Sequence, residues 1–290
     1  MDISKRVAQL VREACIREVS APKPGNVNRN HNFSDTAFED FILSAEAVVP
    51  AFEKAGQTGV GRIVWQAITD CRSQVRSNTN LGIVLLLAPL AKACLEAGEK
   101  SGSVNTVDTK QLRQVLHDVL HSLTVEDARL AYEAIRVAKP GGMHKVSAED
   151  ITEEPSVSLL EAMELAKATD AIASEYVTDF EITFEIAFPA LKEALSRGAD
   201  YLNAVVHAFL YVLSRVPDTL IARKNGAEIS RQISHWAADA LTYGGVYSSL
   251  GRGKISRLDN VLCDRTHKLN PGTTADLTTA AIFLDLYSEL

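Results

Sequence analysis

Cysteine is scarce and unpaired in this sequence of 290 residues: Cys15, Cys71, Cys94 and Cys263 stand far apart and form no C-x-x-C pair. That spacing excludes a disulfide framework and a thiolate metal site, and reads as buried thiols in a reducing cytoplasm. No block of basic residues occurs, the net charge is −7 and the pI is near 5.6, which argues against nucleic acid as a partner. No signal-peptide apolar core opens the chain. The most apolar run, Leu81 to Ala93, is interrupted by Pro89 and reads as too short to cross a bilayer. A Walker loop, a Rossmann glycine fingerprint and a Gly-x-Ser-x-Gly elbow are also missing, as is any internal repeat. The expectation is a cytoplasmic protein with neither nucleic acid nor membrane as partner.

What is present is hydrophobic periodicity, in a chain that is 46% hydrophobic and so able to bury a large core. Ile3, Val7, Leu10, Val11, Ala14 and Val19 make one helical stripe. Phe38 to Phe52 forms the next, with Ser34 and Asp35 as candidate caps, and Gly59 to Cys71 a third. Ile83 to Ala91 is apolar all round, which predicts a helix in the centre of the fold. Further helices are expected over Val107 to Leu120, from a Thr124/Asp127 capping box to Lys139, over Ser156 to Val177, and over Asp200 to Val216 and Ala227 to Leu241. Phe180 to Phe188 fits both periods; with no second strand to pair with, it reads as helix kinked at Pro189. Gly244 to Gly253 reads as flexible, and a C-terminal helix opens on a Thr273/Asp276 capping box. The sum is one all-α domain over residues 1–290, a compact bundle of about a dozen helices with a ligand cleft formed by loops at helix ends.

Polar loops interrupt these helices. In Val19 to His31, Pro22 and Pro24 fix φ and Gly25 permits a positive φ, so a stiff loop carries Lys23, Arg29, His31, Asn26, Asn28 and Asn30. It suits anion recognition, or else is an ordinary connection. Asn78, Thr79 and Asn80 fall at the N-terminal end of the central helix, where free N–H groups receive an anion or are simply capped. His117 and His121 have the spacing of two zinc ligands, but no third ligand follows and they read as surface or half-buried histidines. Lys139 to Asp150 brings Gly141, Gly142, His144 and Lys145, and Asp218 stands one turn from Arg223 and Lys224, so acid and cation can face one cleft. Composition and spacing therefore end at a helical enzyme or ligand-binding protein with anion-binding helix ends.

Four of these segments carry a family resemblance. Ser20-Ala-Pro-Lys-Pro-Gly25, Asn78-Thr-Asn-Leu-Gly82, Asp218-Thr-Leu-Ile-Ala-Arg-Lys-Asn-Gly226 and Asn270-Pro-Gly-Thr-Thr-Ala-Asp-Leu277 stand in an order that resembles the triphosphoribosyl-dephospho-CoA synthase family, over nearly the whole chain and in its divergent archaeal and bacterial branch. The resemblance implies an all-α transferase that moves the triphosphoribosyl group of ATP onto the ribose 2′-hydroxyl of 3′-dephospho-CoA and releases adenine. Two departures stand out: a family His-Lys pair is Asn80-Leu81 here, and a Gly-Ala-His is Asn32-Phe33-Ser34. They keep two further readings open, transfer to a different phosphorylated cofactor precursor and nucleotide binding without catalysis. Thr266-His267-Lys268 resembles the missing pair by chance.

Such chemistry builds oxocarbenium character at C1′ and brings a triphosphate into an acidic protein, so it calls for carboxylates, cations and Mg²⁺ with ATP. The expected phosphate and substrate contacts are Lys23, Gly25, Asn26, Arg29, Asn78, Thr79, Asn80, Arg223, Asn270, Thr273 and Thr274. Asp218 and Asp276 are the candidates for metal binding or catalysis, and Glu18 for the base at the acceptor hydroxyl. ATP and a dephospho-CoA-like molecule are the expected partners; a homodimer is allowed, not read from these residues.

Overall fold

The computed structural model describes residues 2–101, 108–141, 150–263 and 267–289, without the side chains of 99–101. Among them the regular elements are all helical, with one isolated bridge between Asn28 and His31. In chain order they are α1 (Ile3–Ser20), α2 (Phe38–Ala47), α3 (Val49–Glu53), α4 (Val60–Gln74), α5 (Leu81–Ser101), α6 (Thr109–His121), α7 (Val125–Ala138), α8 (Leu159–Ala166) and α9 (Ala171–Val177). A π-helical turn, Ile182–Ala187, runs into α10 (Phe188–Ser196), followed by α11 (Tyr201–Arg215), α12 (Thr219–Asn225), α13 (Ala227–Thr242), α14 (Ser249–Leu262) and α15 (Gly272–Ser288).

The core sits where α1, α5, α11 and α15 pack together. Every residue of α5 from Val84 to Ala91 is buried, as the all-round apolarity of this run predicts. It also continues through Pro89, so Leu81–Gly98 is long and apolar enough to cross a membrane, but 83% of it is buried inside the fold. Pro89 has no N–H for the carbonyl of Leu85 one turn earlier. The buried Tyr176 hydroxyl donates to that carbonyl instead, at 2.7 Å.

Several expectations are corrected by contacts across the fold. The second helix breaks at Val48, with Pro50 in the first turn of α3. Its cap is not Ser34 or Asp35: Asn32 accepts from the N–H of Phe38 and Asp40 from that of Ala37, both at 2.8 Å. Ser156 to Val177 is two helices, because Asp170 accepts from the N–H of Ile172 and starts α9 anew. Gly244 to Gly253 is not a flexible stretch: it holds a 3₁₀ turn and the start of α14, where a Cβ on Gly251 would overlap the backbone of Gly245. The Thr124/Asp127 capping box forms as expected. The Thr273/Asp276 box does not; α15 has no side-chain cap.

Candidate active site

A cavity of about 610 Å³ opens where the N-terminal ends of α5 and α15 converge, with α12, the end of α1 and the loop after α7 as its other walls. Asn78 Oδ1 caps α5 by accepting from the Leu81 N–H at 3.3 Å, and Asp218 takes the Thr274 N–H of α15, so what the two helix ends offer the cavity is chiefly their positive dipole ends, which favour a polyanion. Of the expected residues, Glu18, Asn26, Asn78, Thr79, Arg223, Asn270, Thr273 and Asp276 line it. Three of the four motifs thus meet here, joined by Glu18 and Asn26 from either side of the first, although 258 positions separate Glu18 from Asp276.

The remaining expected residues do not line the wall, and most have another task. Lys23 is fully buried; its ammonium lies 2.9 Å from the Glu18 carboxylate and donates to the carbonyls of Glu18 and Ala21, closing the C-terminal end of α1. Gly25, at φ 74°, gives its N–H to Asp259, and a Cβ there would lie 2.5 Å from that of Leu262. Arg29 is exposed, its guanidinium over the Phe38 ring. Asp218 is buried as the cap of α12: it accepts from the N–H of Ile221 at 3.0 Å, and from the N–H and hydroxyl of Thr274, both at 2.8 Å. These bonds lock α12 to the first turn of α15 and use about three of the carboxylate's four acceptor positions. Asn80 is buried behind the wall. Asp150 caps its own turn through Thr152, while His144, Lys145 and Asp264 to Thr266 lie outside the described residues.

Asp276 is different. Its carboxylate reaches the cavity and packs over Gly82, where a Cβ would overlap it. Burial, then the charges of Glu18, Asp218 and Asp170, hold its carboxyl well above the usual carboxylate range, opposed by Arg223. Burial likewise raises that of Asp218. On the same cavity wall, buried polar atoms lack partners: the Ser77 hydroxyl, Asn270 Oδ1, Arg223 Nε and His267 Nδ1, with both amide atoms of Asn80 behind the wall. Buried polar atoms normally find hydrogen bonds, and a set of orphans around one cavity marks a place for a polar ligand.

The model of the ATP:dephospho-CoA triphosphoribosyl transferase family matches residues 4–290. The chain belongs to this family. A relative from Stutzerimonas stutzeri, named provisionally as a 2-(5''-triphosphoribosyl)-3'-dephosphocoenzyme-A synthase, is 25% identical over 301 residues, covering 97% of this chain and 91% of that protein. The synthase of that name from Klebsiella pneumoniae is 30% identical over 100 residues, 34% of this chain and 35% of its own. A crystal structure from Archaeoglobus fulgidus, provisionally given as a triphosphoribosyl-dephospho-CoA synthase, superposes with a TM-score of 0.62 at 27% identity, over 84% of this chain and 97% of that one.

In this member of the family the cavity also takes in residues that motif reading passed over. Asp170 pairs with Arg223 and so orients the guanidinium, while Arg72, Arg76 and Lys139 add positive charge. Phe33 and His267 stack at 4.0 Å on the wall, and the Ser34 N–H lies 3.2 Å from His267 Nε2. A backbone N–H can only donate, so Nε2 holds the lone pair and Nδ1 the proton of a neutral ring. The one signal in the sequence was Thr266-His267-Lys268, set aside as chance; the structure brings His267 to the cavity.

Proposed function

We propose that the protein transfers the triphosphoribosyl group of ATP to the 2′-hydroxyl of 3′-dephospho-CoA, releasing adenine. The observation that carries this reading is the cavity at two converging helix N-termini that Asp276 shares with the unpartnered polar atoms of Ser77, Arg223, His267 and Asn270, in a chain of the transferase family. In the reaction the acceptor oxygen bonds to C1′ of the ATP ribose as the C1′–N9 bond breaks; the hydroxyl proton leaves and adenine takes one up.

Each wall residue then has work suited to its chemistry. The stacked Phe33 and His267 rings form a platform for the purine, with the His267 Nδ1–H as a donor to it. The α5 N-terminus with Asn78 and Thr79, the α15 N-terminus with Thr273, and Arg223 receive the triphosphate. Mg²⁺ suits Asp276, an unsaturated carboxylate crowded by other acids, and would supply charge neutralisation to the phosphates. Asp218 suits the ion less well, since both its oxygens already accept hydrogen bonds and it does not line the cavity. Glu18, tied to Lys23 through one oxygen, lines the cavity and is the base for the acceptor hydroxyl's proton.

The test is chromatography of the protein incubated with ATP, Mg²⁺ and 3′-dephospho-CoA. Free adenine beside an acceptor heavier by the triphosphoribosyl mass is the expected result. ATP binding without adenine release would instead favour a different phosphorylated acceptor, in keeping with Asn80-Leu81 at the head of α5.

A further inference from the structure

His117 and His121 stand one turn apart at the end of α6 with no third ligand near them in sequence, but the fold supplies one. Asp179, from the turn after α9, places both carboxylate oxygens 3.0 and 3.1 Å from His117 Nδ1. One ligand atom from each of His117, His121 and Asp179 lies within 4.8 Å of the others. The His121 ring packs 3.9 Å from that of His117. Its Nδ1 lies 2.9 Å from the His117 carbonyl, an acceptor only, so Nδ1 carries a proton and Nε2 is the nitrogen left to serve as a ligand.

The carboxylate is held in place by unusual means. Asp179 and Phe180 are consecutive non-glycine residues at φ 51° and 59°, a conformation that persists only where its surroundings enforce it. Arg113 enforces it from α6, donating to the carbonyls of Thr178 and Asp179 at 3.1 and 2.8 Å while its charge pairs with Glu185. Below the turn the Glu175 carboxylate accepts from the N–H groups of Ile182 and Thr183 at 2.7 and 2.9 Å. The guanidinium thus grips the backbone and leaves the Asp179 carboxylate to the imidazoles. An ordinary His–Asp pair would need neither the second ring nor this backbone.

We propose that His117, His121 and Asp179 bind a divalent transition metal of the Zn²⁺ class. Two imidazoles and one carboxylate suit Zn²⁺ or Co²⁺ rather than Mg²⁺, which prefers an all-oxygen shell. Metal–ligand bonds of about 2.0–2.2 Å require ligand atoms roughly 3–3.5 Å apart. His117 and Asp179 already meet that spacing, the ion displacing to solvent the proton that His117 Nδ1 donates to the carboxylate, and exposed His121 closes the set by side-chain rotation. The bound ion ties α6 to the C-terminal end of α9, the helix whose other end, through Asp170, holds Arg223 in the cavity.

The site is tested by titrating the whole protein with Co²⁺ under visible absorption, then competing with Zn²⁺ and with Mg²⁺. A saturable one-to-one spectrum, displaced by Zn²⁺ and untouched by Mg²⁺, is expected. H121A should abolish it, and D179N should weaken Co²⁺ binding by about tenfold or more. Both variants should fold, since His121 is exposed and Asn tolerates a left-handed φ; metal-free thermal unfolding checks this. A spectrum that never saturates, or one that persists unchanged in folded H121A and D179N, overturns the proposal.

Discussion

The carboxylate of Asp276 rests directly on Gly82, so closely that a Cβ added to Gly82 would lie 2.5 Å from Asp276 Cγ and overlap Oδ2. The first turn of α5 therefore needs glycine because an acid from α15 occupies the space. Alanine is the better helix former by about 1 kcal/mol, yet G82A should destabilise the protein by about 1–3 kcal/mol, because the overlap forces a shift. Adenine release should fall about 100-fold as Asp276 is displaced. Urea denaturation and the adenine assay measure both; a stabilised, active G82A would show that the acid moves aside freely.

The raised carboxyl of Asp276 gives two pH dependences of opposite sign. Its folded pKa lies above its unfolded value, so its contribution to stability is fully present below the unfolded pKa and is lost as pH rises through the folded one. Mg²⁺–ATP affinity should rise over the same window, because only the ionised group binds the ion. Calorimetric titration and thermal unfolding across pH follow the two trends, and D276N should flatten both.

Lys23 and Glu18 form a buried ion pair, and removing one partner strands the other charge. K23M should cost about 3–5 kcal/mol, with much of the loss recovered in a K23M/E18M double variant. The double variant should be inactive, since it lacks Glu18 on the cavity wall. Urea unfolding of the four proteins completes the cycle; additive losses would mean the two groups do not interact.

Tyr176 and Pro89 are coupled through the carbonyl of Leu85. Y176F should cost about 1–3 kcal/mol by leaving that buried acceptor unpaired. In a P89A background the helix regains its own N–H donor, and the cost of Y176F should shrink. Equal costs in the two backgrounds, read from denaturant midpoints, would remove the coupling.

D218N tests a structural reading against a chemical one. An amide in place of the carboxylate can accept from Ile221 or Thr274 but not serve all three donors. Stability should fall by about 1–3 kcal/mol, and activity should fall only as far as α15 shifts. Loss of all turnover with unchanged stability would return Asp218 to the chemistry.

Much of the architecture was determined by local pattern alone. Apolar residues at helical spacing bury one face wherever they occur, so α1, α4, α11 and α13 were legible, as was the central place of α5. The Thr124/Asp127 cap was legible because donor and acceptor lie three residues apart. The order of the four motifs was likewise enough to suggest the family.

Only the tertiary structure decided which polar residues face the cavity. Lys23 has the composition of a phosphate contact, but its ammonium closes α1; Asp218 has that of a metal ligand, but its oxygens hold α12 and α15 together. Asp276 was expected to cap its own helix and instead lies across Gly82. Asp179 joins two histidines that had no third partner, and Gly25 bonds to Asp259, more than two hundred positions away. The physical reason is one of range. Periodicity reports whether a residue is buried, whereas the role of a buried charge depends on the groups packed against it, and those come from helices distant in the chain.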